Sequence, residues 1–133
     1  MLIGKNIFNN DLSINNRLMS SRPEQKKLRN YLIKNKQPIC IICQKEYPLY
    51  VLECAHIKPR SLSTWEERYD YNIVNWMCRN CHKIYDKGTI GIKDGFLIKN
   101  SDLSNFEFNF KTTEYNRSSK YFDYHFENIK KLK

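Results

Sequence analysis

The stretch that decides the fold is Leu52–Ile92, LECAHIKPRSLSTWEERYDYNIVNWMCRNCHKIYDKGTIGI, which holds two of the three histidines and the pair Cys78-x-x-Cys81. Its start belongs to an apolar, β-branched run, Tyr50–Ile57, that reads as a strand ended by Pro59. A period of two puts Leu52, Cys54 and His56 on one face. Arg60–Tyr71 follows as a polar loop with Trp65 as its anchor, and Asn72–Met77 as a short second strand. Cys81–Lys87 reads as a helix, closed by Gly88 just past its C-cap. His82 and Asp86 are four apart on that helix and so project from one face, one turn apart.

Upstream lies a second pair, Cys40-x-x-Cys43, separated from Cys78-x-x-Cys81 by 34 residues. Thiolates are soft, singly charged ligands, and four of them complete a closed tetrahedral shell, so Cys40, Cys43, Cys78 and Cys81 are expected to bind a structural zinc ion. Such a clamp would pin the ends of the intervening hairpin and bring His56 opposite His82. A full shell leaves His82, next to Cys81, available for a second ion or for substrate. Cys54 is the fifth cysteine and reads as strand packing. Two pairs and a single thiol suit metal binding in a reducing compartment better than a disulfide framework.

The chain has 133 residues, enough for one small domain with terminal arms. Mean hydropathy of -0.71 implies a thin core that a metal staple would reinforce. The formal charge is +9, which favours a polyanionic partner, although a solvated basic surface has the same composition. The first residues, MLIGKNIFNNDL, lack the apolar centre and cleavage site of a signal peptide, and no run reaches membrane-spanning length. A cytoplasmic protein is expected.

The division expected is an N-terminal arm with a basic helix over 1–37, a core over 38–100, and a C-terminal strand and helix over 101–133. Residues 1–20 show no period and are assigned no structure. Pro23 suits a first helical turn, after which Leu28, Tyr31 and Leu32 share a face to about Lys36. The many lysines of that helix read as solvated surface, with phosphate contact as the alternative. Lys45–Pro48 reads as a turn. Lys93-Asp94-Gly95 between two apolar runs predicts a hairpin, Phe106–Phe110 alternates as a strand, and Ser118–Lys131 reads as a terminal helix. Tyr121, Tyr124 or His125, and Ile129 are its predicted buried stripe.

Hydrolysis of a phosphodiester needs a base to make a nucleophile from water, and a cation to neutralise charge growing on the phosphoryl oxygens. His56, with an intrinsic pKa of about 6.5, can be that base at neutral pH. His82 and Asp86 can hold a divalent ion of mixed nitrogen and oxygen preference, Mg²⁺ or another, and two ligands leave positions open for water and phosphate.

The ordered elements His56-Ile57-Lys58-Pro59, Asn72-Ile73-Val74, Cys78-Arg79-Asn80-Cys81-His82 and Ile84-Tyr85-Asp86-Lys87-Gly88 resemble the HNH endonucleases of the ββα-metal type, restriction-type members included. The resemblance covers about residues 38 to 98. It implies an α+β fold with a zinc-stapled ββα core, His56 as general base, and His82 and Asp86 as ligands of the catalytic ion. Asn72 would brace the base-bearing loop, with Asn75 as fallback. Many members carry Asp or His directly before the catalytic histidine; Ala55 stands there, and Glu53 is a candidate to compensate, although the strand period points it with Ala55 and away from His56.

The activity implied is cleavage of duplex DNA to 5′-phosphate and 3′-hydroxyl ends, in a restriction-like role. Lys58, Arg60, Arg68, Arg79 and Lys83 flank the centre and are the expected phosphate contacts. One constellation per chain predicts a homodimer if both strands are cut. A zinc-stapled nucleic-acid-binding module without catalysis, and an RNA-cleaving nuclease, are the rival readings.

Overall fold

The protein is described from a computed structural model, and the structure describes residues 22–128. Its centre is an antiparallel ribbon of β1 (Leu52–His56) and β2 (Val74–Cys78), in a register that places Leu52 opposite Cys78 and His56 opposite Val74. Helix α3 (Arg79–Asp86) follows β2 without a connector and completes a ββα unit. The helix ends at Lys87, and Gly88 takes the left-handed conformation (φ 79°) that glycine tolerates best.

Two helices sandwich the ribbon. Helix α1 (Pro23–Asn35) buries Leu28 and Leu32 against it, and the Arg29 guanidinium lies 5.1 Å from the centroid of the Trp76 ring. Helix α3 lies on the other face, where Glu53 meets His82. Because side chains alternate along a strand, Cys54 and His56 go with Trp76 toward α1, whereas Glu53 and Ala55 go toward α3. Covered on both faces, β2 is buried along its whole length.

Beyond the unit, β3 (Ile90–Lys93) and β4 (Phe96–Lys99) pair through a two-residue turn at Asp94 and Gly95. Both turn residues have positive φ (53° and 90°), the geometry that Asp-Gly favours between twisted strands. The chain then runs to α4 (Thr112–Arg117) and α5 (Ser119–Asn128), and α5 packs on β3. One continuous core includes Leu28 and Leu32 of α1, the ribbon, Tyr85, Ile90, Ile92, and Tyr121 and Phe122 of α5.

The structure departs from the sequence reading in several places. Trp65 is not an anchor: it is 61% exposed, on a short helix α2 (Trp65–Arg68). What holds that loop is the reciprocal Thr64–Glu67 capping box and the Lys58–Glu67 ion pair. Phe106–Phe110 forms no strand, since its one backbone ladder contact is Asn109 N–H to the Ile42 carbonyl. Phe108 and Phe110 nevertheless pack against the core. The terminal helix expected from Ser118 is present as α5, and what the sequence reading left out is the short helix α4 before it, which stops at Ser118 (φ −127°, ψ 26°), whose hydroxyl donates to the Asn72 carbonyl at 2.6 Å. The buried residues of α5 are Tyr121, Phe122 and His125; Tyr124 is half-buried. Residues 1–20, Ile129 and the expected helical extension to Lys131 lie outside the described residues. Among the described residues, no helix is long and apolar enough to cross a membrane.

Candidate active site

The cysteines come together first by local geometry. In Cys40–Gln44 the chain folds back on itself, with Gln44 N–H donating to the Cys40 carbonyl at 2.8 Å and Gln44 at φ 62°. Cys78 and Cys81 sit one turn apart at the start of α3, and the Ile41 N–H donates to the Trp76 carbonyl. The result is four buried sulfur atoms within 4.8 Å of one another. Zn–S bonds of about 2.3 Å in a tetrahedron separate sulfurs by roughly 3.8 Å, so a small contraction accommodates zinc. The electrostatics fit a cation as well. The Cys81 thiol hydrogen-bonds Cys40 and holds it as thiolate, with its pKa lowered to about 5, while the same contact and burial push Cys81 well above the usual thiol range. Four thiols so close cannot all ionise without a positive charge between them.

A separate cleft of about 490 Å³ opens at the end of β1, lined by His56, Cys54, Pro59, Arg60 and Ser61, by His82 and Asp86 from α3, and by Arg22 and Gln25 from α1. The three residues with candidate chemistry therefore share one cavity. Burial lowers the pKa of His56 to about 4, against the opposing pull of Glu24, so its imidazole is neutral at pH 7. Backbone bonds hold it in place: Ile57 N–H donates to the Ile73 carbonyl (2.8 Å), and the hydroxyl of buried Tyr85 donates to the Ile57 carbonyl (2.8 Å).

His82 lies between two carboxylates. Its Nδ1 is 2.6 Å from Glu53 Oε1, and its Nε2 is 3.2 Å from Asp86 Oδ2. Glu53 thus engages the ring nitrogen opposite the one that faces Asp86, and its other oxygen lies 3.6 Å from Arg79 Nε. With Nδ1–H donated to Glu53, the Nε2 lone pair faces the Asp86 oxygen, an arrangement that a cation between them relieves. Two ligands at right angles on an ion with bonds of roughly 2.1 Å lie about 3.0 Å apart, close to the distance found. The spacing of the pair fits a divalent ion, which His82 and Asp86 would hold at the wall of the cleft.

The other predicted site residues divide. Asn72 is held through its backbone, its N–H bonded to Asp70 (2.9 Å) and its carbonyl to Ser118. Its carboxamide makes no hydrogen bond to a described residue. Asn75 is buried, and its side chain bonds the Trp76 N–H and Glu114. Two expected phosphate contacts are engaged inside the fold: Lys58 is buried, paired with Glu67 at 2.8 Å and set over the Tyr124 ring, and Arg60 is paired with Glu24. Arg68 bonds the Arg60 carbonyl. Arg79 and Lys83 are exposed beside His82.

Sequence reasoning missed Tyr85 as a brace, the Glu53–His82 contact, and the α1 residues at the cleft. Tyr85 reads as a core aromatic, and the other contacts bridge residues about thirty apart in the chain. A strand hairpin and helix stapled by four thiols, with an imidazole at a strand end and a His–Asp pair on the helix, define a ββα-metal fold. In agreement with it, residues 40–93 match the family model for HNH endonuclease. Such a match implies nuclease activity. No curated protein matches the chain.

Proposed function

We propose that the protein is a DNA endonuclease that cleaves phosphodiesters with His56 as general base, and His82 and Asp86 as ligands of one divalent ion. The observation that carries this reading is the single cleft shared by His56, His82 and Asp86. A neutral His56 can take a proton from a water molecule placed against the phosphorus. A divalent ion such as Mg²⁺, when bound, would neutralise charge on the phosphoryl oxygens and the leaving oxygen. Glu53 keeps the His82 ring turned with Nε2 toward Asp86. Arg79, Lys83 and Arg68 are the side chains best placed to meet flanking phosphates. Asn72 acts through its loop backbone, which pairs with Asp70 and Ser118 beneath the strand end. The four cysteines hold zinc and keep the strand end and helix in register. A restriction-like role and a homodimer complete the proposal for double-strand cleavage.

The deciding experiment is plasmid nicking in Mg²⁺ by the wild-type chain and by His56→Ala, with DNA binding measured in parallel. General acid–base catalysis contributes on the order of 10²–10⁴-fold. The variant is expected to lose cleavage on that scale while binding duplex as before. Unchanged cutting by His56→Ala would defeat the assignment, and faster cutting of structured RNA than of duplex DNA would redirect it.

A further inference from the structure

Helix α1 precedes residues 40–93, so the HNH match does not include it. Its first turn nevertheless forms a wall of the cleft, through Arg22 and Gln25. That turn is tied to the segment that follows β1. Glu24 is 0% exposed and is paired with the guanidinium of Arg60, four residues beyond His56 on the same chain segment. Leu28 and Leu32, on the following turns, are buried. A buried ion pair at one end and apolar packing along the length leave the helix little freedom to slide relative to the end of β1.

Next to Glu24, the Gln25 carboxamide meets the imidazole of His56, its Nε2 atom 3.4 Å from His56 Nε2. The oxygen and nitrogen of a carboxamide exchange places by a simple flip, and the hydrogen-bond chemistry decides between them. With nitrogen toward the ring, the amide would donate to Nε2 and occupy the one lone pair a neutral imidazole then has. With oxygen toward the ring, it accepts Nε2–H and leaves the lone pair on Nδ1.

We infer that Gln25 is a positioning residue for cleavage: its carboxamide oxygen accepts the Nε2–H of His56, fixing the tautomer whose Nδ1 takes the proton from water. This rests on the reading of His56 as the general base. It follows that the active site extends beyond the HNH segment, and that α1 is part of it.

The test uses the full chain with zinc and Mg²⁺, and compares Gln25→Ala, Gln25→Glu (acceptor only) and Gln25→Lys (donor only). Cleavage at saturating plasmid is expected to fall roughly tenfold or more in the alanine and lysine variants and to survive in the glutamate variant, with KM changed less than about twofold. Nitrogen-15 histidine spectra at neutral pH report the tautomer directly: His56 carries its proton on Nε2 in the wild type and in Gln25→Glu, and shows a mixture in Gln25→Ala. Wild-type cutting by Gln25→Ala, or an unchanged His56 tautomer in it, would overturn the inference. If the wild-type chain cuts nothing, the general-base reading fails, while the tautomer comparison still decides whether Gln25 sets the ring.

Discussion

At the scale of single residues, the chemistry depends on what each imidazole touches. Glu53 bonds Nδ1 of His82, and carboxylates in that position usually raise the basicity of a ligating histidine and hold its ring in place. Glu53→Gln is therefore expected to weaken Mn²⁺ binding about 10- to 100-fold, read by electron paramagnetic resonance titration. An unchanged affinity would remove Glu53 from the site. His125 shows the opposite use of the same side chain. It is buried, stacked on Tyr85 at 3.7 Å, and donates Nε2–H to the Tyr85 carbonyl. Burial lowers its pKa to about 4. The unfolded chain binds this proton near pH 6.5 and the folded one only near 4, so stability from this group is complete above 6.5 and is lost as pH falls toward 4. Between pH 7 and pH 5 the loss is about 2 kcal/mol. Urea unfolding of wild type and His125→Gln at both pH values isolates it; the wild type should show the steeper decline, and equal slopes would refute it.

At the scale of elements, the legible parts were those whose signal is local. Cys-x-x-Cys spacing, the i, i+4 spacing of His82 and Asp86, Pro23 in a first turn and Asp-Gly between apolar runs each act within a few residues, and α1, α3 and the β3–β4 hairpin follow from them. The His56 end of the cleft was legible only as a strand terminus. What approaches it, Gln25 at a separation of 31 residues and Glu24 clamped to Arg60 at 36, is set by tertiary packing and leaves no local trace. The same limit explains one failure but not another. Phe106–Phe110 has the alternation of a strand but, among the described residues, no neighbouring strand to pair with; Trp65 reads as an anchor from its size alone, whereas the Thr64-x-x-Glu67 capping box, itself a local signature, is what holds the loop. The hairpin turn offers a check at this scale. Gly95 has φ 90°, and a Cβ there would stand 2.8 Å from Thr112 Cγ2. Gly95→Ala is expected to cost roughly 1–3 kcal/mol in denaturant unfolding, and a neutral substitution would show that the turn relaxes without penalty.

At the scale of the whole molecule, the four sulfurs bring the Cys40–Cys43 turn against the start of α3. On the zinc reading, metal analysis gives one zinc per chain, and a strong chelator at pH 7 removes several kcal/mol of stability, seen as a lower melting temperature together with loss of nicking that Mg²⁺ alone does not restore. Zinc-free protein with unaltered melting would exclude the staple. The arrangement has a further consequence, because Cys81 and His82 are consecutive on the first turn of α3. One thiol anchor and one candidate catalytic ligand move as a single piece, so a chain that has not yet found its structural ion has no place to hold the second. On the proposed reading, newly made copies in a zinc-starved cell would be inert toward the cell's own chromosome, and competence to cut would arrive only after maturation.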